Sequence, residues 1–472
     1  MIVTKEDRPA DWEALSTWIA ELIDGAADDV VWIHDAGNVT RGDLIARVEE
    51  FADLLQRDGI GPGCTVALRI GPSCTLFYVL FGLWRCGAQV LLVDSRAKPA
   101  EVDRLFRRYE PQFEVHSDTI GDVRAVFQAD REVRTRSTGG GTRAAGPHCL
   151  VQSSSGATGR PKIIGRTADS VQRELERIAA LPGAPAEGER VLLLGSMLHS
   201  FGLIVGVLHS LRAKARLVLT FSVRPRELLD LAARQDVTMI LGVPTHFELL
   251  ASVFDPPPLP SLRGAVCAGD VLDRGVFDLV ERRLGIRLGQ VYGMTEVGVV
   301  AADLTGRLGP HSVGVPLPGI AVRCSDGELF VAVEESPYLR SDGIARVVDG
   351  WLRTFDRADQ NPDTGALRIL GRTDSVIAIG GLKVDLTEIE AVLHEHEQVH
   401  EAVVTYHEVI EAHVGVSGVV STADLLSWCR ERLSHVKVPK RVHLGPALPR
   451  TATGKLIRDR DRLHAARSRI VD

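Results

Sequence analysis

At 472 residues the chain exceeds what one hydrophobic core ordinarily supports, so two or more domains are expected. A composition of 45% hydrophobic and 25% charged residues excludes a disordered or fibrous chain, and a net charge of -7 argues against general nucleic-acid binding. Seven dispersed cysteines without a CxxC pair fit reduced cytosolic thiols better than a disulfide framework or a zinc site. The stretch around Lys5, Glu6, Asp7 and Arg8 carries no apolar signal core, so a cytoplasmic location is expected.

In chain order, residues 42–56 read as an amphipathic helix, 64–70 as a buried strand, 76–85 as a helix and 89–93 as a strand. This alternation predicts an α/β fold, with parallel sheets flanked by helices. Residues 134–147 are polar and Gly-rich, which suits a surface loop or linker. A strand over 149–152 then delivers Ser153-Ser154-Ser155-Gly156-Ala157-Thr158-Gly159-Arg160-Pro161-Lys162 at its C-terminal end, where α/β proteins bind phosphates. Glycines let backbone N–H groups approach an anion, hydroxyls add donors, and Arg160 and Lys162 add countercharge. It is not a Walker A loop, and taken alone it reads equally as a flexible Ser/Gly linker.

Residues 191–211 carry no formal charge and are long enough to cross a bilayer. They include His199, Ser200, His209 and Ser210 and lack flanking basic clusters, so they read as a buried strand, a loop and a buried helix. Strands follow at 191–194, 217–219, 238–241 and 264–268, with helices at 228–235 and 276–284. Beyond about residue 319 the chain turns to strands (321–324, 327–333, 367–370), which predicts a β-rich subdomain. A new α+β unit starts at 386, with a helix to 396, a strand at 401–407 and a helix at 422–433, placing the boundary within 371–381. No solenoid repeat is present.

Four further clusters carry chemistry. Val291-Tyr292-Gly293-Met294-Thr295-Glu296 combines an aromatic, a glycine, a hydroxyl and a carboxylate, suited to a purine, a phosphate and Mg²⁺, although a strand end and turn look the same. Asp356 follows an aromatic run and suits a turn equally well. Gly371-Arg372-Thr373-Asp374 and Gly380-Gly381-Leu382-Lys383 can form a hinge. Pro449-Arg450-Thr451-Ala452-Thr453-Gly454-Lys455 sets a lysine on a turn near the C-terminus.

In this order the clusters resemble the acyl-adenylate-forming superfamily of acyl- and aryl-CoA synthetases, peptide-synthetase adenylation domains and beetle luciferase, over roughly residues 31–458. The resemblance implies a large N-terminal domain (1–371) and a small mobile C-terminal domain (372–472) hinged near Asp374. It implies ATP binding by Ser154, Ser155, Gly156, Thr158, Gly159 and Lys162, with Gly269, Asp270, Tyr292, Gly293 and Thr295 at the nucleotide, Asp356 and Arg372 on the ribose, and Mg²⁺ on Glu296. Lys455 resembles the lysine that contacts the carboxylate and α-phosphate. Catalysis then falls to Lys455, Thr158, Thr295, Glu296 and His199. Departures are Ala157 for a hydroxyl residue, Phe355 for the glycine before the ribose Asp, Ile163 for a glycine and Leu386 for a proline.

The implied reaction is attack of a carboxylate on the α-phosphorus of ATP, giving an acyl-AMP and pyrophosphate. A swing about Asp374 would then withdraw Lys455 and open a thiol channel beside Gly381, for coenzyme A or a phosphopantetheinyl carrier protein. His199, Phe201, Gly202, Val243, Thr245, Gly269, Tyr292, Gly293, Val297 and Gly298 fall where the acyl pocket is expected. His199 stands where amino-acid-activating members usually place an Asp, which argues against an α-amino acid and for an aromatic or hydrophobic acid. The alternatives are an adenylating enzyme that loads a carrier protein or forms an amide without coenzyme A, a luciferase-like oxygenase, and a non-catalytic nucleotide-binding relative.

Overall fold

The structure of the protein, a computed structural model, describes residues 12–34, 37–117, 127–154, 162–340, 346–372, 375–449 and 456–468. For Ser154, Arg372 and 465–468 it describes the backbone alone. Two large sheets form the N-terminal part. In the nine-stranded sheet, six parallel strands run in the spatial order Leu288–Met294, Gly264–Ala268, Met239–Gly242, Arg190–Leu193, Arg216–Val218 and Val30–His34, with antiparallel strands at both edges. The seven-stranded sheet centres on the parallel strands His148–Ser154, Gln89–Leu92, Thr65–Arg69 and Phe113–Ser117.

Helix Cys74–Arg85 explains how the sheets join. Eleven of its twelve residues are apolar or small and all eleven are buried, as a helix without a polar face must be. Phe77 and Tyr78 pack on Trp32 of the nine-stranded sheet, while Trp84 Nε1 donates to the Cys149 carbonyl of the other at 3.1 Å. The uncharged stretch 191–211 overlaps strand Arg190–Leu193 and a buried π-helical segment, Phe201–Leu208, continued by helix His209–Arg212. Among the described residues no helix is long and apolar enough to cross a membrane.

A smaller five-stranded sheet includes Val322–Ser325, Glu328–Ala332, Trp351–Gln360 and Leu367–Arg372. The C-terminal part has its own core. Helices Leu386–His394 and Thr422–Arg432 pack on the sheet of Val399–His407, Val409–Val416 and Arg441–Gly445 through Ile389, Leu393, Val404, Val414 and Leu425.

One expectation needs correction. The polar run from Arg134 is not loop throughout, because Val133–Ser137 pairs antiparallel with Phe113–Ser117 as the sheet edge. Its alternating Arg and Thr residues suit an edge strand, where outward charge blocks further pairing.

Candidate active site

The carboxyl ends of the parallel strands converge on one cleft, and strand Leu288–Met294 carries its centre. Tyr292 stands at that strand's end, and its hydroxyl donates to Asp356 Oδ2 at 2.5 Å. Asp356 is buried in strand Trp351–Gln360, and the antiparallel register sets Arg372 directly opposite it. Two residues sixteen apart in sequence, both expected on the ribose, thus become neighbours through one strand pair.

Phe355 has φ +63°, the left-handed region that its usual glycine occupies without cost. Its ring is held by two guanidiniums, Arg353 at 4.6 Å and Arg346 at 5.1 Å from the centroid. Phe355→Gly releases about 1 kcal/mol of backbone strain and gives up cation–π contacts worth about 0.5–1 kcal/mol each. Urea unfolding is expected to show little net change for glycine. Phe355→Val keeps the strain, adds β-branching and loses the contacts, and is expected to cost about 2 kcal/mol.

Glu296 lies in the turn between Met294 and Gly298 and is buried, accepting from the Tyr338 hydroxyl at 2.9 Å. A small cavity joins it to Lys162, Arg346, Arg353 and Lys383. One carboxylate among so many cations suits a polyanion with a bound divalent ion.

The main cavity has a volume of about 310 Å³. It runs from Phe201, Gly293, Thr295 and Gly298 past His199 and Gly269 to Gly381, Lys383 and Lys437 of the C-terminal part. His199 opens onto this cavity. Burial within the protein pushes its imidazole pKa down; Asp94 opposes that, and Arg96 and Lys383 add to it. The imidazole is therefore neutral at pH 7. At the end of the cavity near Gly298, Glu174 lines it, accepting from Arg166 Nη2 at 2.9 Å and from the Val299 N–H at 2.8 Å, so a paired carboxylate closes it off.

Gly381 makes the junction between the two parts. A Cβ on Gly269 would sit 3.5 Å from the Gly381 backbone, and a Cβ on Gly381 would sit 2.4 Å from Val243 Cγ1. Further out, Lys437 Nζ lies 2.9 Å from both Glu101 Oε1, on helix Pro99–Tyr109, and Glu388 Oε1. Burial works against the Lys437 ammonium, but Glu388 and Glu101 outweigh it and raise its pKa. Burial likewise penalises the Glu101 carboxylate, yet Lys437 and nearby backbone N–H groups bring its pKa below the ordinary 4.5. The tie is therefore whole from neutral pH up through the ordinary lysine range. It is lost as pH falls through the depressed Glu101 value. Small-angle scattering between about pH 6 and 3 should show the two parts separating, and Glu101→Gln should loosen them already at pH 7 and flatten that profile.

Of the expected site residues, His199, Phe201, Gly269, Gly293, Thr295, Gly298 and Gly381 line the main cavity, and Lys162 and Glu296 the smaller one. Gly202, Val243, Thr245, Asp270, Tyr292 and Val297 do not line the main cavity. Gly202 packs against the Ser196 carbonyl, Thr245 is exposed at the start of helix Pro244–Ala251, and Val243 acts through Gly381. Asp270 is exposed and accepts from the Val271 N–H at 2.8 Å. Ser155, Gly156, Thr158, Gly159, Asp374 and Lys455 lie outside the described residues. Sequence reasoning missed Asp94, Arg96, Glu101, Glu174 and Lys437. Asp94 and Arg96 follow strand Gln89–Leu92, so the strand-end rule that located the Ser/Gly run also pointed to them.

Residues 21–335 match the AMP-binding enzyme family, and residues 388–455 match the AMP-binding enzyme C-terminal domain. The chain belongs to the AMP-binding enzymes. It is 27% identical over 469 residues to feruloyl-CoA synthase of an Amycolatopsis species, covering 90% of this chain and 94% of that one. It is 28% identical over 466 residues to 4-chlorobenzoate–CoA ligase of an Arthrobacter species, covering 89% of each. Its fold is that of o-succinylbenzoate CoA synthetase from Bacillus subtilis, solved with a product analogue: TM-score 0.81, 22% identity, 97% of this chain and 98% of that one.

Proposed function

We propose that this AMP-forming ligase activates an aromatic carboxylic acid and passes the acyl group to the thiol of coenzyme A. A carboxylate is a poor acyl donor because its leaving group would be oxide. Attack of its oxygen on the α-phosphorus of ATP releases pyrophosphate and converts that leaving group to AMP. The protein's contribution is positioning and charge neutralisation. Asp356 accepts from the ribose hydroxyls, with Arg372 beside it. Lys162 and the Ser154–Thr158 hydroxyls hold the β- and γ-phosphates, and Lys455 serves the α-phosphate. Glu296 is the carboxylate that would hold Mg²⁺, whose charge offsets that of the phosphates. In the second half-reaction the thiol sulfur bonds to the acyl carbon, the C–O bond to AMP breaks, and neutral His199 can accept the thiol proton.

The observation that carries this reading is the continuous cavity from Phe201 and Gly298, past His199, to Gly381 and Lys437 at the junction with the C-terminal part. An amide-forming enzyme needs no passage for a long thiol arm. The aryl acid follows from the relatives, which are named for feruloyl and chlorobenzoyl groups, and from a compact pocket closed by the Glu174–Arg166 pair. Free cysteines, all buried but Cys324, suit a reducing cytoplasm. Pyrophosphate exchange across a panel of aryl, fatty and amino acids, followed by coenzyme A consumption, is the test. Exchange with an aryl acid but no consumption of coenzyme A would favour a carrier protein or an amine as acceptor, and exchange with α-amino acids alone would overturn the substrate class.

A further inference from the structure

Away from the cleft, the C-terminal part gathers three histidines and a glutamate. Glu411 and His413 stand two apart on strand Val409–Val416 and so share a face. His443 is in register with His413 on the parallel strand Arg441–Gly445, and helix Arg460–Ser468 brings His464 over both. The His413 and His443 rings stack with centroids 4.8 Å apart, and His464 meets them nearly edge-on at 5.1 and 5.0 Å. One ligand atom from each of the four residues lies within 4.8 Å of all the others. Among the described residues no other group of three or more His, Cys, Asp or Glu converges in this way.

Charge balance does not account for the cluster. Glu411 is fully buried, but two guanidiniums already serve it: Arg441 Nη1 donates to Oε1 at 2.7 Å, and Arg460 spans both oxygens, Nη2 to Oε1 at 3.1 Å and Nε to Oε2 at 3.3 Å. The three imidazoles are gathered beside Oε2, with His464 Nε2 at 2.9 Å and His443 Nε2 at 3.6 Å. Packing imidazoles beside a core that includes Val404, Ile410, Ala412 and Val414 costs desolvation that aliphatic residues would avoid.

We propose that His413, His443, His464 and Glu411 form a site for one divalent transition-metal ion, with Zn²⁺ the best match to a donor set of three imidazoles and a carboxylate. Bonds of about 2.0–2.1 Å in a tetrahedron put ligand atoms about 3.4 Å apart. A pair at the 4.8 Å limit must therefore close by about 1.4 Å, a movement that side-chain rotation can supply. Arg441 and Arg460 oppose a further positive charge, but they also hold the carboxylate in place, as outer partners of metal ligands do. The ion would tie His464 on the last helix to His443 on the sheet. Lys455 lies between these two ligands in sequence, so the ion would fix both ends of the segment that bears it. That last consequence rests on the adenylation reading, and the metal site does not.

The test uses full-length protein stripped with a chelator and titrated with Zn²⁺ or Co²⁺, scoring bound metal after gel filtration, the Co²⁺ spectrum and the thermal midpoint. One ion per chain, visible bands of tetrahedral Co²⁺ and a midpoint raised by metal are expected. His464→Gln, at a half-exposed helix position that should fold without strain, and His443→Gln should each weaken binding at least tenfold. Absence of saturable binding, unchanged affinity in both variants, or thiolate-to-cobalt charge-transfer bands would each overturn the assignment. None of these readouts depends on ligase activity.

Discussion

Lys455→Ala is expected to depress ATP–pyrophosphate exchange by roughly 10²–10³-fold, the loss typical of removing one group aimed at developing charge. Thioester formation from preformed acyl-AMP should stay within about threefold of the parent, because the proposed swing withdraws Lys455 before the thiol attacks, so Lys455 makes no contact in that transition state. The split follows from geometry as well as chemistry. The C-terminal part lies with Gly381 against Gly269 and with Lys383 lining both cavities, so the segment 381–383 meets the cleft. Single-turnover assays of the two half-reactions measure this directly. Equal losses in both would remove the two-arrangement mechanism and leave Lys455 a merely structural cation.

Legibility in the sequence followed the physical range of each interaction. Strand Gly264–Ala268 coincides with its expected bounds, and most other expected elements are found within two or three residues, because burial on both faces writes a continuous apolar run. Motifs held within a few residues were also readable, and the end of strand Leu288–Met294 with the middle of strand Trp351–Gln360 brings Tyr292 and Asp356 together. What the chain could not announce was pairing across distance. Lys437 meets Glu101 over 336 residues, and Glu174 meets the Val299 N–H over 125. Each is an ordinary surface-type residue locally, and only the fold makes it part of a cavity wall. The four-residue cluster in the C-terminal part was illegible for the same reason, since its histidines are spread over three elements with no metal-ligand spacing.

Gly381→Leu should produce the opposite division of labour. Gly381 has φ +78°, which costs a branched side chain about 1–2 kcal/mol. The larger obstacle is contact, since a Cβ would stand 2.4 Å from Val243 Cγ1 with the Gly269 backbone close by. No rotamer choice relieves a clash made by the first side-chain atom, so the C-terminal part must back away from the cleft. Thioester formation, which the proposed mechanism routes through this junction, is expected to fall by more than about 10²-fold, as a displaced reacting geometry does. Pyrophosphate exchange should persist within about threefold, because Tyr292, Asp356 and Glu296, the residues proposed to hold the nucleotide, all belong to the N-terminal part. Val243→Ala in the same chain removes the clashing methyl and should restore part of the thioester rate, leaving only the backbone strain. Rescue of that kind separates a blocked passage from a misfolded domain. If the double variant were as slow as Gly381→Leu, the contact with Val243 would not be what closes the channel.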